Sequence, residues 1–548
     1  MSEDKQVWVV DDALLSALFG DDAPQTDSKK RAASPGLSRA IKLHLDGKSA
    51  EALEELSRTL PGEDSAEIHS ARGHIEFEGG RYEDAAQSYS KVVEAHQNHK
   101  TAWFNLGVCQ EKLQRYSEAI ESLRKALELD PGRIEANFGL GICLLRTNRF
   151  KEAAQYFDTY LQKKPEDNTA LFGKAVAQQL SLRLDEAVIT YNELLNKDSG
   201  FEPALVNLIG LAISRKDNAG IRKAAERVLT LNPQSEAALS ALSGAAFSEN
   251  DFESASKYCT ELVKAAPDSF EARFNLGVAF HRMKQLDQAV RSYEQAIHLK
   301  PDSGQAHANL GCVLQEQDNL DGAAKSYERA LQIAPELPGT LWNLAAIREL
   351  QGDGVEAENL YNQLVSGNPD WEEAWFRLGC LRLQRGEFQV SADAFQACLK
   401  SRPSHHGSLI NAALAYWCMA DLSSAQRMFE KALDSEHQSQ PALRGLAGLA
   451  MEANEPARAL EYCSALAEIG ESTADLRYNV ALLFQESGDA GQAAQLYRAA
   501  LAENPGFSEA LVNLGHALEN LGEPDEARRC WAEAIRQKPE LAAAYFDS

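Results

Sequence analysis

Small and large apolar residues recur along this chain with a fixed period of 34 residues, and prolines mark the same period. A period of this length predicts a solenoid of helical hairpins, in which each repeat packs only on its neighbours. The prolines on the period are Pro131, Pro165, Pro233, Pro267, Pro301, Pro335, Pro369, Pro403, Pro505 and Pro539.

Three positions of the period predict how two helices of one repeat pack. Position 8 is glycine or alanine in most units, position 20 is alanine and position 24 is large, as Gly141, Ala153 and Phe157 illustrate. Small residues twelve positions apart fall on successive helices, let the backbones approach, and leave space that the large residue fills. A turn with glycine or asparagine ends the first helix, and proline near position 32 ends the second.

The units 100–133 and 270–303 carry the pattern most clearly. The residues concerned are Ala102, Trp103, Asn105, Gly107, Ala119, Ala126 and Pro131 in one, and Phe274, Asn275, Gly277, Ala289, Tyr293, Ala296 and Pro301 in the other. This pattern resembles the tetratricopeptide repeat. The resemblance covers residues 66–541 and implies an all-α fold, a right-handed superhelical solenoid of antiparallel helix pairs. It also implies that the first helices line a concave groove.

The period divides the chain into four parts. Counted from Ala66, fourteen 34-residue units end at Leu541. Before them, residues 1–32 predict an acidic flexible segment with a short amphipathic stretch, and residues 33–65 predict an irregular first hairpin. Three interpretations of segment 1–32 stay open: it docks in a partner, docks in this protein's own groove, or caps the first hairpin as an added helix. After the units, residues 542–548 form a truncated stub that leaves an apolar edge uncapped, which predicts self-association through the C-terminal end.

Charge and cysteine usage restrict the partners and the compartment. The formal net charge is −26, from 81 acidic and 55 basic residues. Nucleic acids and anionic membranes need a basic face, so neither is expected as a partner. The nine cysteines fall at helix positions and no C-x-x-C occurs, which indicates reduced core thiols. No apolar run is long enough for a membrane helix. We therefore expect a cytoplasmic protein.

Position 6 of the first helix is asparagine in eight units, and position 5 is mostly aromatic. In the family that the chain resembles, this face lines the groove. An asparagine amide pairs with a peptide backbone whatever the side chain of the peptide. The candidate groove residues are Asn105, Asn207, Asn275, Asn309, Asn343, Asn411, Asn479 and Asn513, with Phe104, Phe274, Trp342 and Phe376.

Two interpretations of these asparagines remain open. They bind a peptide along many repeats, or they are family consensus that fits the helix pair. The series has gaps at Gly139, Gly173, Ala241, Arg377 and Gly445, which indicates that not every repeat would hold a ligand.

Two members of the wider family set limits on this interpretation. The array is similar to the repeat region of O-linked N-acetylglucosamine transferase, which carries an asparagine ladder before a catalytic domain. Seven residues follow the last unit here, so we expect no such domain. The co-chaperones of the family hold carboxylates with a lysine at position 5, and no unit of this chain has one.

The sequence contains no phosphate loop, dinucleotide turn, H-E-x-x-H, G-x-S-x-G or paired metal spacing. We therefore expect no enzymatic activity, no cofactor and no metal. The function expected first is a non-enzymatic scaffold that binds a partner peptide or protein along its groove. Two alternatives stay open: a substrate-docking subunit of a separately encoded enzyme such as a glycosyltransferase, and a self-assembling structural protein.

Overall fold

The structure is a computed structural model that describes residues 35–59 and 66–540. The chain divides into two units, Met1–Gln285 and Leu286–Ser548. The predictions for residues 1–32 and 542–548 lie outside the described residues, as does part of the irregular first hairpin. The division into an N-terminal segment, a first hairpin, fourteen repeats and a stub stays a prediction.

Thirty α-helices make up the described part of the chain. The first unit contains α1 (Pro35–Leu45), α2 (Ser49–Thr59), α3 (Ala66–Glu78), α4 (Tyr82–Ala95), α5 (Lys100–Lys112), α6 (Tyr116–Leu129), α7 (Glu135–Arg146), α8 (Phe150–Leu161), α9 (Asn168–Leu180), α10 (Leu184–Lys197), α11 (Glu202–Ser214), α12 (Asn218–Leu231), α13 (Glu236–Ser248), α14 (Phe252–Ala265) and α15 (Phe270–Arg282).

The second unit is built in the same way. It contains α16 (Leu286–Leu299), α17 (Gly304–Glu316), α18 (Leu320–Ile333), α19 (Pro338–Leu350), α20 (Gly354–Gly367), α21 (Glu372–Gln384), α22 (Phe388–Ser401), α23 (His406–Cys418), α24 (Leu422–Ser435), α25 (Gln440–Glu452), α26 (Pro456–Glu468), α27 (Ala474–Glu486), α28 (Ala490–Glu503), α29 (Ser508–Asn520) and α30 (Pro524–Gln537). No helix of the described residues is both long and apolar enough to cross a membrane.

Small residues of the first helix lie directly under large residues of the second. A Cβ added to Gly311 would stand 2.6 Å from the ring of Tyr327, and one added to Gly379 would stand 2.5 Å from Phe395. Tyr327 and Phe395 are fully buried. A side chain at these glycines would therefore displace a core ring.

Buried polar side chains link the two helices of several hairpins. Ser122 Oγ donates to Gln110 Oε1 over 2.7 Å, and Thr190 Oγ1 donates to Gln178 Oε1 over 2.7 Å. The two partners are twelve residues apart in each case, at positions 11 and 23 of the repeat. Because each donor meets an acceptor, these groups are buried without the cost of an unsatisfied hydrogen bond.

The turn between the two helices of a repeat has a left-handed residue at position 15. Five of the fourteen residues are glycine, and the others carry side chains. The side-chain-bearing residues are Gln114, Asn148, Leu182, Lys216, Asn250, Lys284, Asp318, Ala420 and Asn454. We predicted glycine or asparagine at this turn, whereas leucine and lysine also adopt the conformation. The packing of the flanking helices requires the turn in each repeat.

The first helices lie side by side within each unit. Several pairs of successive first helices contact one another directly, as α7 and α9 do in the first unit and α21 and α23 in the second. Between second helices of the described residues there is no comparable contact. We call positions 2, 5, 6, 9 and 12 of the first helices α3 to α29 the first-helix face.

Candidate functional site

Four of the eight asparagines of the first-helix face hydrogen-bond with a tyrosine of the preceding second helix. Asn207 Nδ2 donates to the hydroxyl of Tyr191 over 3.0 Å, and Asn343 Nδ2 donates to that of Tyr327 over 3.2 Å. Asn309 Nδ2 lies 3.5 Å from the hydroxyl of Tyr293 in the same arrangement. The two partners are sixteen residues apart in every case.

The tyrosine hydroxyl itself donates a hydrogen bond to a second polar side chain. Tyr191 donates to Gln179 Oε1 over 2.7 Å, and Tyr327 donates to Gln315 Oε1 over 2.9 Å. Burial raises the pKa of Tyr191 well above its usual value, so the phenol stays neutral. Each of these two tyrosines therefore makes one hydrogen bond within its own repeat and one to the asparagine of the next repeat.

Two further asparagines meet tyrosine. Asn105 hydrogen-bonds with Tyr89, again sixteen residues earlier. Asn513 Nδ2 donates instead to the hydroxyl of Tyr478 over 2.8 Å, across 35 residues. The second of these bonds joins two first helices, α27 and α29.

The hydrogen bonds to tyrosine explain the gaps in the asparagine series. Gly173 lies against Phe157, and an added Cβ would stand 2.7 Å from that ring. Gly139 lies in the same way against Leu123, and Gly445 against Phe429. At these three positions the residue sixteen earlier offers no hydroxyl, and glycine makes room for its larger apolar side chain. At the fourth gap, Ala241, the residue sixteen positions earlier is Ala225, which has no hydroxyl either.

Arg377, the remaining gap, replaces the amide with a charged donor. Arg377 Nη1 lies 3.3 Å from Glu349 Oε1, and Tyr361 donates its hydroxyl to Glu349 Oε2 over 3.1 Å. The carboxylate thus takes the place that glutamine has in other repeats, and the guanidinium takes the place of asparagine.

Three asparagines follow a second helix that has no tyrosine at position 24. Asn411 Nδ2 donates to Cys380 Sγ over 3.5 Å. For Asn275 and Asn479, the part of the chain that the structure describes offers the side-chain amide no partner. Their preceding residues at a spacing of sixteen are Cys259 and Cys463. Asn275 is half-buried and Asn479 is exposed, so both amides can bind a ligand.

The four candidate aromatic residues at position 5 are half-buried and each contacts a neighbouring group. Phe376 lies edge-on to His405 with ring centroids 4.9 Å apart, and Trp342 stacks on Trp371 at 6.1 Å. The rings of Phe104 and Phe274 contact the Arg133 guanidinium at 4.8 Å and the ring of Phe270 at 5.6 Å, respectively. These contacts fix the rings in place and leave part of each exposed.

On helix α13 the first-helix face carries small, exposed residues. Its positions 2, 5 and 9 are Ala237, Ser240 and Gly244, and all three are exposed. A Cβ added to Gly244 would meet no atom within 4 Å. On the neighbouring helix α11, Ile213 at position 12 is 49% exposed. We call Ala237, Ser240 and Gly244 the α13 face.

Sequence reasoning did not select the α13 face. It treated Ala241 as a gap in the asparagine series and did not consider the exposed small residues beside it. Their spacing along one helix was a visible signal. The open space at Gly244 depends on the neighbouring helices, and only the fold supplies that information.

Sequence models described as tetratricopeptide repeats match most of the chain. The matched residues are 70–134, 112–178, 270–303, 314–378, 372–405, 410–474 and 484–546. The chain belongs to the tetratricopeptide-repeat family. This assignment confirms the resemblance and the predicted all-α solenoid. Tetratricopeptide-repeat proteins are generally non-catalytic, and this one is a protein-interaction scaffold.

Two curated relatives share part of this tetratricopeptide-repeat chain. The peroxisomal targeting signal receptor of Eremothecium gossypii is 26% identical over 190 residues, which is 33% of this chain and 32% of the relative. The peroxisomal targeting signal receptor of Saccharomyces cerevisiae is 23% identical over 197 residues, 33% of this chain and 31% of the relative. The match thus spans about a third of the length of either receptor.

Two solved structures are also similar to this chain. YrrB, described as a tetratricopeptide-repeat protein with an unusual peptide-binding site, is 20% identical and covers 34% of this chain and 96% of its own, with a TM-score of 0.32. The Naa15/Naa10 complex bound to HypK-THB is 13% identical and covers 92% of this chain and 93% of its own, with a TM-score of 0.35.

Proposed function

We propose that this scaffold is non-enzymatic and binds an extended peptide segment on the first-helix face, centred on α11, α13 and α15. The observation that carries the proposal is the side-chain amide of Asn275, which has no partner among the described residues. It stands one repeat after the α13 face, where small side chains leave the helix surface open.

The chemistry of these residues suits a peptide backbone. The Asn275 amide offers two donors and one acceptor, which match the carbonyl and N–H of an extended chain. Ala237, Ser240 and Gly244 let that backbone approach the helix closely. Ile213 adds an exposed apolar surface for one ligand side chain. Asn479 provides a similar free amide on α27 and marks a second position for ligand contact.

Two observations support a peptide or protein as the ligand. The relatives from Eremothecium gossypii and Saccharomyces cerevisiae are named as receptors for a targeting signal. The net charge of −26 disfavours nucleic acid and anionic membrane surfaces. We therefore propose that the scaffold binds neither of them.

We propose a cytoplasmic location, which the cysteines support. All nine are free, and only Cys418 is exposed. Burial raises the pKa of Cys109 to about 12 and that of Cys259 to about 11, so these thiols stay protonated and unreactive at neutral pH. Free buried thiols are typical of proteins from a reducing compartment.

Peptide selection from a random-sequence phage library against the full chain tests the proposal. Affinities of the selected peptides are then measured by fluorescence anisotropy for the wild type and for Asn275→Ala. We expect the substitution to weaken binding about fivefold to tenfold, the effect of one lost hydrogen bond. Gln155→Ala is the matched control, because Gln155 is an exposed amide on the second helix α8.

Affinity for the selected peptides should not change in Gln155→Ala. Circular dichroism should show the same helix content in all three proteins, because Asn275 has no partner among the described residues. Equal affinity of wild type and Asn275→Ala would contradict the proposed site, and failure to select any peptide would contradict peptide binding.

A further inference from the structure

Three side chains that can bind a metal meet where the first hairpin contacts the following helix. His44 lies in the last turn of α1, whereas His74 and Glu78 lie four residues apart on α3. His44 Nε2 stands 2.9 Å from Glu78 Oε2, and His74 Nε2 stands 3.3 Å from Glu78 Oε1. The three ligand atoms all lie within 4.8 Å of one another.

These separations suit a tetrahedral ion. Metal–ligand bonds of about 2.0 Å in tetrahedral geometry place two ligand atoms about 3.3 Å apart. The observed distances of 2.9 and 3.3 Å are close to that value. Two imidazoles and one carboxylate form a three-ligand set that Zn²⁺ takes with water in the fourth position. In the described ranges 35–59 and 66–540, no other set of three histidine, cysteine or carboxylate side chains comes this close together.

A second contact orients one of the imidazoles. Ser49 Oγ, at the start of α2, lies 3.1 Å from Nδ1 of His44. With Nδ1 engaged, Nε2 is the nitrogen that faces Glu78. Metal-binding histidines commonly hold their second ring nitrogen in this way, which fixes both tautomer and ring orientation.

We propose that His44, His74 and Glu78 form a binding site for a divalent transition-metal ion, with Zn²⁺ the best fit. The site joins α1 of the first hairpin to α3 of the repeat array. The apolar contacts at this junction are few: the buried cluster consists of Leu37, Ala40, Ala52, Leu53, Leu56, Ile68 and Ile75. A bound ion therefore adds a coordination bridge where the hydrophobic core is small. Without an ion, the exposed carboxylate of Glu78 only contacts the two imidazoles at the protein surface, which stabilises little.

Calorimetric titration of the full metal-free chain with ZnCl₂ tests the site. We expect one high-affinity Zn²⁺ per chain. His74→Gln and Glu78→Gln should each weaken binding by at least about 100-fold, because each removes a ligand. Ser49→Ala should weaken it by about 10-fold to 100-fold, since it removes only the orienting contact.

His406→Gln is the matched control. His406 Nε2 lies 3.4 Å from Glu436 Oε2, which is also a histidine–carboxylate pair, but no third ligand completes it. Zn²⁺ affinity should be unchanged in this variant. Undiminished affinity in His74→Gln and Glu78→Gln, or no Zn²⁺ binding by the wild type, would overturn the proposal.

A second readout separates loss of the site from loss of folding. Zn²⁺ should raise the Tm of the wild-type chain and leave that of His74→Gln unchanged, while both show the same helix content in EDTA. If His74→Gln does not fold, the Zn²⁺ affinity of Ser49→Ala decides: a 10-fold or greater loss supports the site, and wild-type affinity overturns it. Neither measurement depends on peptide binding. A negative result for the metal site therefore leaves the proposed peptide binding unaffected, and the reverse also holds.

Discussion

Asn343 donates from Nδ2 to the hydroxyl of Tyr327 over 3.2 Å, and this bond joins α19 to the second helix before it. Asn207 and Tyr191 show the same relationship in the first unit. The asparagines of the first-helix face thus fall into two groups. Asn411 and those that follow a tyrosine at a spacing of sixteen bond within the protein. Asn275 and Asn479 have amides without a partner among the described residues.

The hydrogen bond between Asn343 and Tyr327 should contribute to stability. We expect Asn343→Ala and Tyr327→Phe each to lower the free energy of unfolding by about 1 kcal/mol or more. Their effects should be coupled, so the double variant loses less than the sum of the two single variants. Urea denaturation of the four proteins measures the coupling, and strictly additive losses would show that the bond does not stabilise the fold.

A methyl group at Gly311 should disrupt the contact between the helices of its repeat. The added Cβ would stand 2.6 Å from the Tyr327 ring, so we expect Gly311→Ala to lower the free energy of unfolding by about 1–3 kcal/mol. Gly367→Ala is the control, because a Cβ there meets no atom within 4 Å. The control should be neutral or stabilising by up to about 1 kcal/mol, since alanine favours helix. A Gly311→Ala variant with the same free energy of unfolding as the wild type would show that the close approach of Gly311 to the Tyr327 ring is not required.

Leu182 is a site where substitution should stabilise the protein. Its φ is 63°, a left-handed conformation that strains a side-chain-bearing residue. We expect Leu182→Gly to raise the free energy of unfolding by about 1 kcal/mol, since glycine adopts this conformation without strain. Leu182→Ala keeps the strain and should change stability by less than about 0.5 kcal/mol. Thermal unfolding of the two variants checks this difference, and equal Tm values would contradict it.

Glu358 should make the stability of the second unit dependent on pH. Burial opposes ionisation of Glu358, but hydrogen bonds from Arg382 and Arg385 outweigh it and hold its pKa below the usual value. A lowered folded-state pKa contributes stability above the unfolded pKa of about 4.3, and this contribution is lost as pH falls through the folded value.

Glu358→Gln should therefore lower the free energy of unfolding by about 2 kcal/mol at pH 7. The difference from the wild type should stay constant down to about pH 5 and shrink below about pH 4. Glu356→Gln, an exposed residue on the same helix, is the control. A difference that stays the same at low pH would show that the Glu358 charge does not contribute.

The 34-residue period was sufficient to predict the class of fold. Gly311 and Tyr327 illustrate the reason: a small and a large residue at fixed positions are needed wherever two helices pack closely. The asparagines could also be identified from the sequence. Their hydrogen-bond partners could not, because Asn343 and Tyr327 belong to different repeats. The sequence did contain the relevant signal, because glycine replaces asparagine after Phe157 and Phe429.

The proposed metal ligands could not be found from spacing alone. His44 and His74 are 30 residues apart and do not follow the 34-residue period, since His44 belongs to the irregular first hairpin. Only the packing of α1 against α3 brings their side chains together. The left-handed Leu182 was hidden for a related reason, because the turn is imposed by the helices that flank it.

A side chain at Gly244 should block the first-helix face around α13, where we propose that the peptide binds. A side chain there enters open space on an exposed helix surface, so Gly244→Leu should fold normally. Gly367→Leu places the same side chain in open space on the second helix α20. The measurement is the Kd of a library-selected peptide for wild type and both variants. We expect Gly244→Leu to bind the peptide at least about tenfold more weakly than the wild type and Gly367→Leu to bind it equally well. Wild-type affinity in Gly244→Leu would contradict peptide binding at the α13 face.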